Sequence, residues 1–189
     1  MYRAITLKAL ETGTRLEDRA SLGKLLRDTT VGLDWRKGKL TVRLDGRDVS
    51  REIRTPKVSG FVSEVSAIPA VRKKMVALQR QAAAGRNVVC EGRDIGSVVF
   101  PDADLKVFLD CDITARAGRR KKELAESGIG TSRGSVLANL RKRDRIDSGR
   151  AVAPLKRVPD AVLVDTSMLT IEEQVAVVCD LARRRRGRS

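Results

Sequence analysis

Glu91, Arg93 and Asp94 stand where a buried strand would hand them to a ligand. The chain reads Asn87-Val88-Val89-Cys90-Glu91-Gly92-Arg93-Asp94-Ile95-Gly96, and the apolar run 88–90 predicts a short buried strand. Ligands of open α/β sheets sit just beyond the carboxyl ends of strands. An arginine and an aspartate there can grip opposite ends of a small anion. The planar fork of Arg93 suits phosphate oxygens, which it bonds bidentately. Asp94 accepts from amino or hydroxyl groups. The same residues also suit a surface Arg–Asp pair closing a turn, and fold position alone does not choose between the two.

A second cluster, Arg143-Asp144-Arg145-Ile146-Asp147-Ser148-Gly149-Arg150-Ala151-Val152-Ala153-Pro154-Leu155, again mixes arginines with acids at the end of a helical stretch. The chain contains no histidine. Serine–histidine and cysteine–histidine nucleophiles are therefore excluded, as is imidazole acid–base catalysis. Phosphoryl transfer needs neither, since it works by positioning and by cations that neutralise the spread charge of the transferred group. An arginine-rich chain is compatible with that task without pointing to it. The three cysteines, Cys90, Cys111 and Cys179, are odd in number and lack C-x-x-C spacing. They read as reduced, mostly buried small apolar residues, and no metal site is expected.

The elements that must position these clusters follow from local signals. The first 28 residues look helical, with a break at Gly13. Positions 39–44 alternate apolar and polar with period two, the mark of a half-buried strand, and Asp45-Gly46 supplies a hairpin turn. Pro69 ends one helical segment, and a second over 70–84 closes at Gly85. A further buried strand is expected over 105–109, with Asp110 or Asp112 capping the basic helix after it. Ser132 caps the next helix, 161–165 is a third strand, and Thr170 with Glu173 forms a capping box opening the last helix. Strands alternating with helices mean a parallel α/β sheet.

The net charge of +15 comes from 39 Lys and Arg against 24 Asp and Glu. It raises a rival reading, a basic nucleic-acid- or ribosome-associated protein. Positive charge gathers over 116–122, over 133–145 and in the run 183–188, which reads as a disordered, solvated end. Aromatics make up only 3% of the chain and are scattered, whereas a single-strand binder wants them on one stacking face. There is no apolar run of about 18 residues to span a membrane. Nor does a basic region precede an apolar stretch at the N-terminus, so a cytoplasmic protein is expected.

Taken together the motifs resemble a known family, the bacterial cytidylate kinases, which phosphorylate CMP and dCMP. The matching pieces are Met1-Tyr2-Arg3-Ala4, Leu44-Asp45-Gly46-Arg47-Asp48-Val49, Glu52-Ile53-Arg54-Thr55, Val71-Arg72 with Gln79-Arg80, and the stretches 91–102, 143–155 and 160–173. The resemblance runs from the first residue to about Val178. It implies a P-loop nucleoside monophosphate kinase-like fold, α/β, with a parallel sheet and helices on both faces. It also implies a core of 1–35 and 71–112, a nucleotide-binding insert with a small β unit over 36–70, a lid over 113–142, more core over 143–182, and the tail 183–189.

One departure stands beside the match. The family opens with a strand, a glycine-rich phosphate loop and a helix, but G-x-x-x-x-G-K-[ST] is absent from this chain. Gly23-Lys24 has Asp18 where the first glycine belongs, and Gly38-Lys39 has Leu33. Met1 matches an internal Ser/Thr-Gly-Ala-Met methionine, so an in-frame start some 30 or more residues upstream is expected, the size of a βαβ unit. Without that loop, its helix and the next strand, the chain is expected to be an inactive or mis-started fragment. The alternatives are the basic nucleic-acid-associated protein and a non-catalytic nucleotide-binding remnant.

The resemblance also implies roles. Arg3 and Arg93 approach the CMP phosphate, while Ser63, Arg72, Asp94 and Arg150 form the base-recognition group. Asp147, with Arg143, partners the ribose hydroxyls, which would let both CMP and dCMP bind. Arg119 and Arg120 close over the ATP phosphates. Catalytic roles fall to Arg119, Arg120, Arg143 and Arg150, with ATP and Mg²⁺ as cofactors and a monomer as the working form. Without the resemblance, Ser63 reads as a helix-surface hydroxyl, Arg72 as a solvated helix residue, Asp147 as an Asx cap, and Arg119 with Arg120 as a charged solvent face.

Overall fold

The computed structural model describes residues 1–36 and 38–187. The chain divides into two units, Met1–Val89 with Arg150–Val152, and Cys90–Gly149 with Ala153–Ser189.

In the first unit, α1 (Tyr2–Glu11) buries Ala4, Ile5 and Ala9. It ends at Gly13, whose φ of +63° is the left-handed conformation that a helix C-terminus favours. Asp18 caps α2 (Arg19–Asp28) by accepting from the N–H groups of Ala20 and Ser21. Leu22, Leu25 and Leu26, spaced three and one apart, then fall on its inward face. Past its other end, the Lys74 ammonium donates to the carbonyls of Leu26 and Thr29, placing a cation where the helix dipole is negative.

Three antiparallel strands follow in the order β1 (Val31–Arg36), β2 (Lys39–Leu44) and β3 (Arg47–Asp48). Val31, Val42 and Leu44 are buried. The expected strand over 39–44 is present, and β1 was not anticipated. Leu44 pairs with Arg47, so Asp45-Gly46 is a two-residue loop. Both of its residues have positive φ, +49° and +83°, the geometry whose twist matches the flanking strands. Asp45 Oδ1 accepts from the Thr30 N–H at 2.8 Å, and Oδ2 lies 2.7 Å from Lys8 Nζ. Burial alone would raise the Asp45 pKa. The Lys8 hydrogen bond and charge and the Thr30 N–H outweigh it, holding the carboxyl below its ordinary value.

The first prediction arises here. Asp45→Ala loses a side chain that tolerates left-handed backbone as well as two partners, so unfolding stability should fall by about 1–2 kcal/mol. Asp45→Asn should cost less, because it keeps the backbone tolerance. The carboxylate's contribution is present above the unfolded-state pKa and is lost as pH falls through the lower folded-state value. Denaturant midpoints of the two variants measured from pH 7 down to pH 3 check this; a wild-type advantage that grows toward low pH would refute it.

A 3₁₀ turn, Glu52–Arg54, leads to Thr55, which caps α3 (Pro56–Ala67) with Pro56 in its first turn. α4 (Pro69–Ala83) likewise starts on proline and gives way to Gly85 at φ +68°. Ile5, Leu25, Leu44, Val49, Val65, Val71 and Met75 make one apolar core from these elements.

At the passage from the first unit to the second, the expected strand over 88–90 is absent, a correction to the sequence reading. Val89 is 95% exposed and Cys90 is exposed. An apolar run becomes a strand only when a neighbour pairs its backbone, and none among the described residues does so. Instead the chain passes Glu91 and Gly92 into one wide π-helical turn, Ile95–Val99. β4 (Val107–Asp110) and β5 (Val162–Asp165) pair in parallel, with α5 (Ile113–Glu126) and α6 (Arg133–Gly149) between them in the chain. This parallel pair, with helices around it in sequence, makes the fold α/β as expected.

Asp112 rather than Asp110 caps α5, accepting from Thr114 and Ala115. The Ser132 hydroxyl accepts from the Ser135 N–H at the start of α6. The α5–α6 hairpin holds a small core of its own, Ala117, Leu124 and Val136. α6 is continuous through positions 142 and 143, where the lid and core were expected to part. Thr170 and Glu173 form the anticipated capping box of α7 (Ile171–Arg186). That helix extends through Arg183, Arg184, Arg185 and Arg186, which the sequence reading assigned to a disordered end. Arginine is a good helix former and suits a helix C-terminus, and Arg184 also pairs with Asp180 one turn back at 2.7 Å. The rest of the expected tail, Arg188 and Ser189, lies outside the described residues.

Candidate active site

The second unit assembles a cationic cluster around one buried carboxylate. The last turn of α6 places Asp147, 3% exposed, one helical turn after Arg143. Arg93, on the loop before the π-helical turn, brings its Nε to 3.2 Å from Asp147 Oδ2. The loop reaches this position because Gly92 has no Cβ: a methyl there would sit 2.8 Å from Ile95 Cγ1. The carbonyl of Asp94 then accepts from the N–H groups of Val98 and Val99, closing the wide turn. Asp94 is itself 5% exposed.

Arg143 is half-buried, and its Nε meets no hydrogen-bond acceptor among the described residues. Burial, then the like charge of Arg93, push its guanidinium below the usual arginine value; Asp147 pulls the other way, and Arg120 adds to the repulsion. Asp144 adds a second upward pull on Arg143. The carbonyl of Asp147 accepts from the Leu155 N–H at 2.7 Å, which turns the chain sharply after α6.

The lid arginines are engaged differently. Arg119 donates to the carbonyls of Thr166, Ser167 and Leu169 and to Cys111 Sγ, tying α5 to the loop after β5. Arg120 pairs with Glu123 at 2.6 Å. A contact that sequence reasoning missed is the two-pronged bond of Arg116 to Asp144, at 3.0 and 2.7 Å. It clamps α5 to α6 one turn before Asp147. Its signal lay inside the basic block over 116–122 and the acid-bearing motif over 143–155, but their pairing across two helices is a tertiary fact.

The other sequence-predicted residues lie in the first unit. Arg3 Nη1 donates to the Ile53 carbonyl at 2.9 Å and to Ser59 Oγ at 2.8 Å. The Arg72 guanidinium lies over the Tyr2 ring, 5.6 Å from its centroid, and donates to the Ser66 carbonyl. Ser63 is 2% exposed, and its carbonyl accepts from Ser66 Oγ. Arg150 is buried and groups with this unit. Arg3, Ser63 and Arg72 thus sit on α1, α3 and α4 of one packed body, whereas Arg93, Asp94, Arg143 and Asp147 sit in the other.

The fold is that of an α/β protein consistent with a nucleoside monophosphate kinase. The family model for cytidylate kinase matches residues 1–184. A cytidylate kinase of Pelotomaculum thermopropionicum is 45% identical over 179 residues, covering 94% of this chain and 79% of the relative. One of Caldanaerobacter subterraneus is 46% identical over 184 residues, covering 97% and 80%. One of Nocardia farcinica is 45% identical over 184 residues, covering 97% and 78%. The chain belongs to the cytidylate kinase family and is a phosphotransferase of the nucleoside monophosphate kinase class.

Among the described residues no group of three His, Cys, Asp or Glu side chains is placed to hold a metal ion. The Arg93 and Arg143 guanidinium groups beside Asp147 would repel a cation, so this cluster does not fit a resident Mg²⁺. Among the described residues no helix is long and apolar enough to cross a membrane.

Proposed function

We propose that this chain's residues take CMP or dCMP as acceptor in a phosphoryl transfer from ATP. The observation that carries the reading is the cluster of Arg93 and Arg143 around buried Asp147. It offers a carboxylate to hydroxyl groups and two guanidinium groups to phosphate oxygens. The donor supplies the phosphoryl group, and an oxygen of the acceptor's phosphate receives it. Arg93 and Arg143 bind and orient the acceptor and lower the cost of charge gathering at the transferred group. Arg3, which already reaches across to Ser59, adds a cation for the acceptor phosphate. Ser63, Arg72, Asp94 and Arg150 supply the mixture of donors and acceptors that cytosine needs. Arg119 and Arg120 serve the ATP side. Magnesium, when bound with ATP, would neutralise charge on the donor phosphates.

Coupled assays with CMP, dCMP, UMP, AMP and GMP test the substrate class on a chain carrying the phosphate loop. CMP and dCMP should lead, and preference for a purine acceptor would overturn the cytosine reading. In the same enzyme, Asp94→Ala removes a buried charged partner worth about 1.5–3 kcal/mol. That predicts a loss of about ten- to a hundredfold in kcat/KM for CMP, with the KM for ATP little changed. Equal losses on both sides would move Asp94 from base recognition to general support of the fold.

A further inference from the structure

We infer that Ser59 is a positioning residue for the acceptor phosphate, acting through the Arg3 guanidinium that it holds, a role that rests on the acceptor site proposed above. Arg3 Nη1 carries two hydrogens, and it donates to two fixed acceptors, the Ile53 carbonyl at 2.9 Å and Ser59 Oγ at 2.8 Å. Ile53 and Ser59 are 6% and 5% exposed, so water is no ready substitute for either. They belong to different elements, the 3₁₀ turn Glu52–Arg54 and the start of α3. An arginine on α1 is thus anchored from two directions at one end of its guanidinium. A bidentate grip on phosphate depends on the orientation of that plane, and misplacement by about 1 Å can cost about a hundredfold in rate.

A helical serine or threonine with no further task commonly bonds a carbonyl of its own helix. Thr6 does so with Tyr2 at 3.0 Å, and Ser66 with Ser63 at 3.0 Å. Ser59 instead accepts from a cation 56 positions away in the chain. Its place along α3 also matters. Ser59 and Ser63 are four residues apart and both buried, so they share one face with their Cβ atoms about 5–6 Å apart. Ser63 belongs to the base-recognition group of the proposed acceptor site. Arg3 meets α3 at Ser59, so a cation and a base-reading hydroxyl stand one turn apart on a single helix. A ligand with a base at one end and a phosphate at the other requires such a separation.

Kinetics of the loop-bearing enzyme test this role. Ser59→Ala should raise the KM for CMP about tenfold, while the KM for ATP and the inhibition constant of cytidine, which lacks the phosphate, stay within about twofold. Ser59→Thr keeps the hydroxyl and should recover most of the affinity for CMP. Equal losses for CMP and cytidine, or a threonine no better than alanine, would make Ser59 a packing residue and overturn the inference. Arg3→Met keeps the length of the side chain and removes its charge. In that background Ser59→Ala should add little, because the group it holds is gone. If Arg3→Met leaves the CMP kinetics unchanged, Arg3 is not at the acceptor phosphate, and its place in the proposed acceptor site falls together with the role of Ser59. If Arg3→Met weakens CMP but Ser59→Ala has no effect, or adds its full loss on top, the acceptor site stands and the role of Ser59 alone is refuted.

Discussion

Residues 1–189 should transfer phosphoryl groups at least about a thousandfold more slowly than a chain that also carries a glycine-rich phosphate loop and its strand. Such a loop cradles the donor phosphates with backbone N–H groups and a lysine, and its Ser or Thr helps to hold the magnesium ion. The sequence contains no G-x-x-x-x-G-K-[ST]. Arg119, the arginine assigned to the donor side, is occupied with the carbonyls after β5, and Arg120 pairs with Glu123. Losing one oxyanion-type donor alone costs about a hundred- to a thousandfold, and a whole cradle should cost more. The comparison is turnover and thermal melting of the two forms under the same conditions. Cooperative melting with turnover within tenfold of the longer form would refute the prediction.

Asp147→Ala should have the next largest effect. This carboxylate pairs with Arg93, and it opposes the desolvation and like-charge repulsion on Arg143. Removing it leaves two cations facing each other with part of their hydration gone, the unfavourable half of a buried ion pair. A stability loss of about 2 kcal/mol or more is expected, with a loss of about a hundredfold in kcat/KM for CMP in the loop-bearing enzyme. The KM for ATP should change far less. Asp147→Asn separates the two consequences: it keeps an acceptor for Arg93 and recovers part of the stability, but lacks the charge that balances Arg143. An Asp147→Ala enzyme with unchanged CMP kinetics would remove this cluster from the acceptor site.

The parts of the fold legible in the sequence are those fixed within a few residues. The Asp45-Gly46 hairpin, the Asp112 and Ser132 caps and the Thr170 with Glu173 capping box all satisfy backbone groups next to themselves, so local residue types suffice. The segment 88–90 shows the limit. Its composition is that of a strand, but a strand exists only with a partner, and the partner is not a local property. The reverse error occurred over Val31–Arg36, where Val31, Leu33 and Trp35 alternate plainly. Gly32 and Asp34 between them masked a strand that β2 stabilises from across the hairpin. At the site, Arg93, Arg143 and Asp147 were picked out from their motifs, and the structure brings these three together. The Arg116 to Asp144 clamp and the carbonyl ties of Arg119 were not visible, because each joins elements far apart in the chain.

The only partly offset burial of the Arg143 charge has an evolutionary side. A half-buried guanidinium with an acceptorless Nε and like-charged neighbours is a poor choice for stability, and an apolar residue of similar size would pack there at lower cost. Proteins commonly carry such local disadvantage at the places where they work. Selection for robustness alone would favour leucine or methionine at this position, giving a sturdier fold without the charge that the proposed acceptor role needs. Leucine or methionine at this position would pack more cheaply only by giving up the charge that the proposed acceptor role uses.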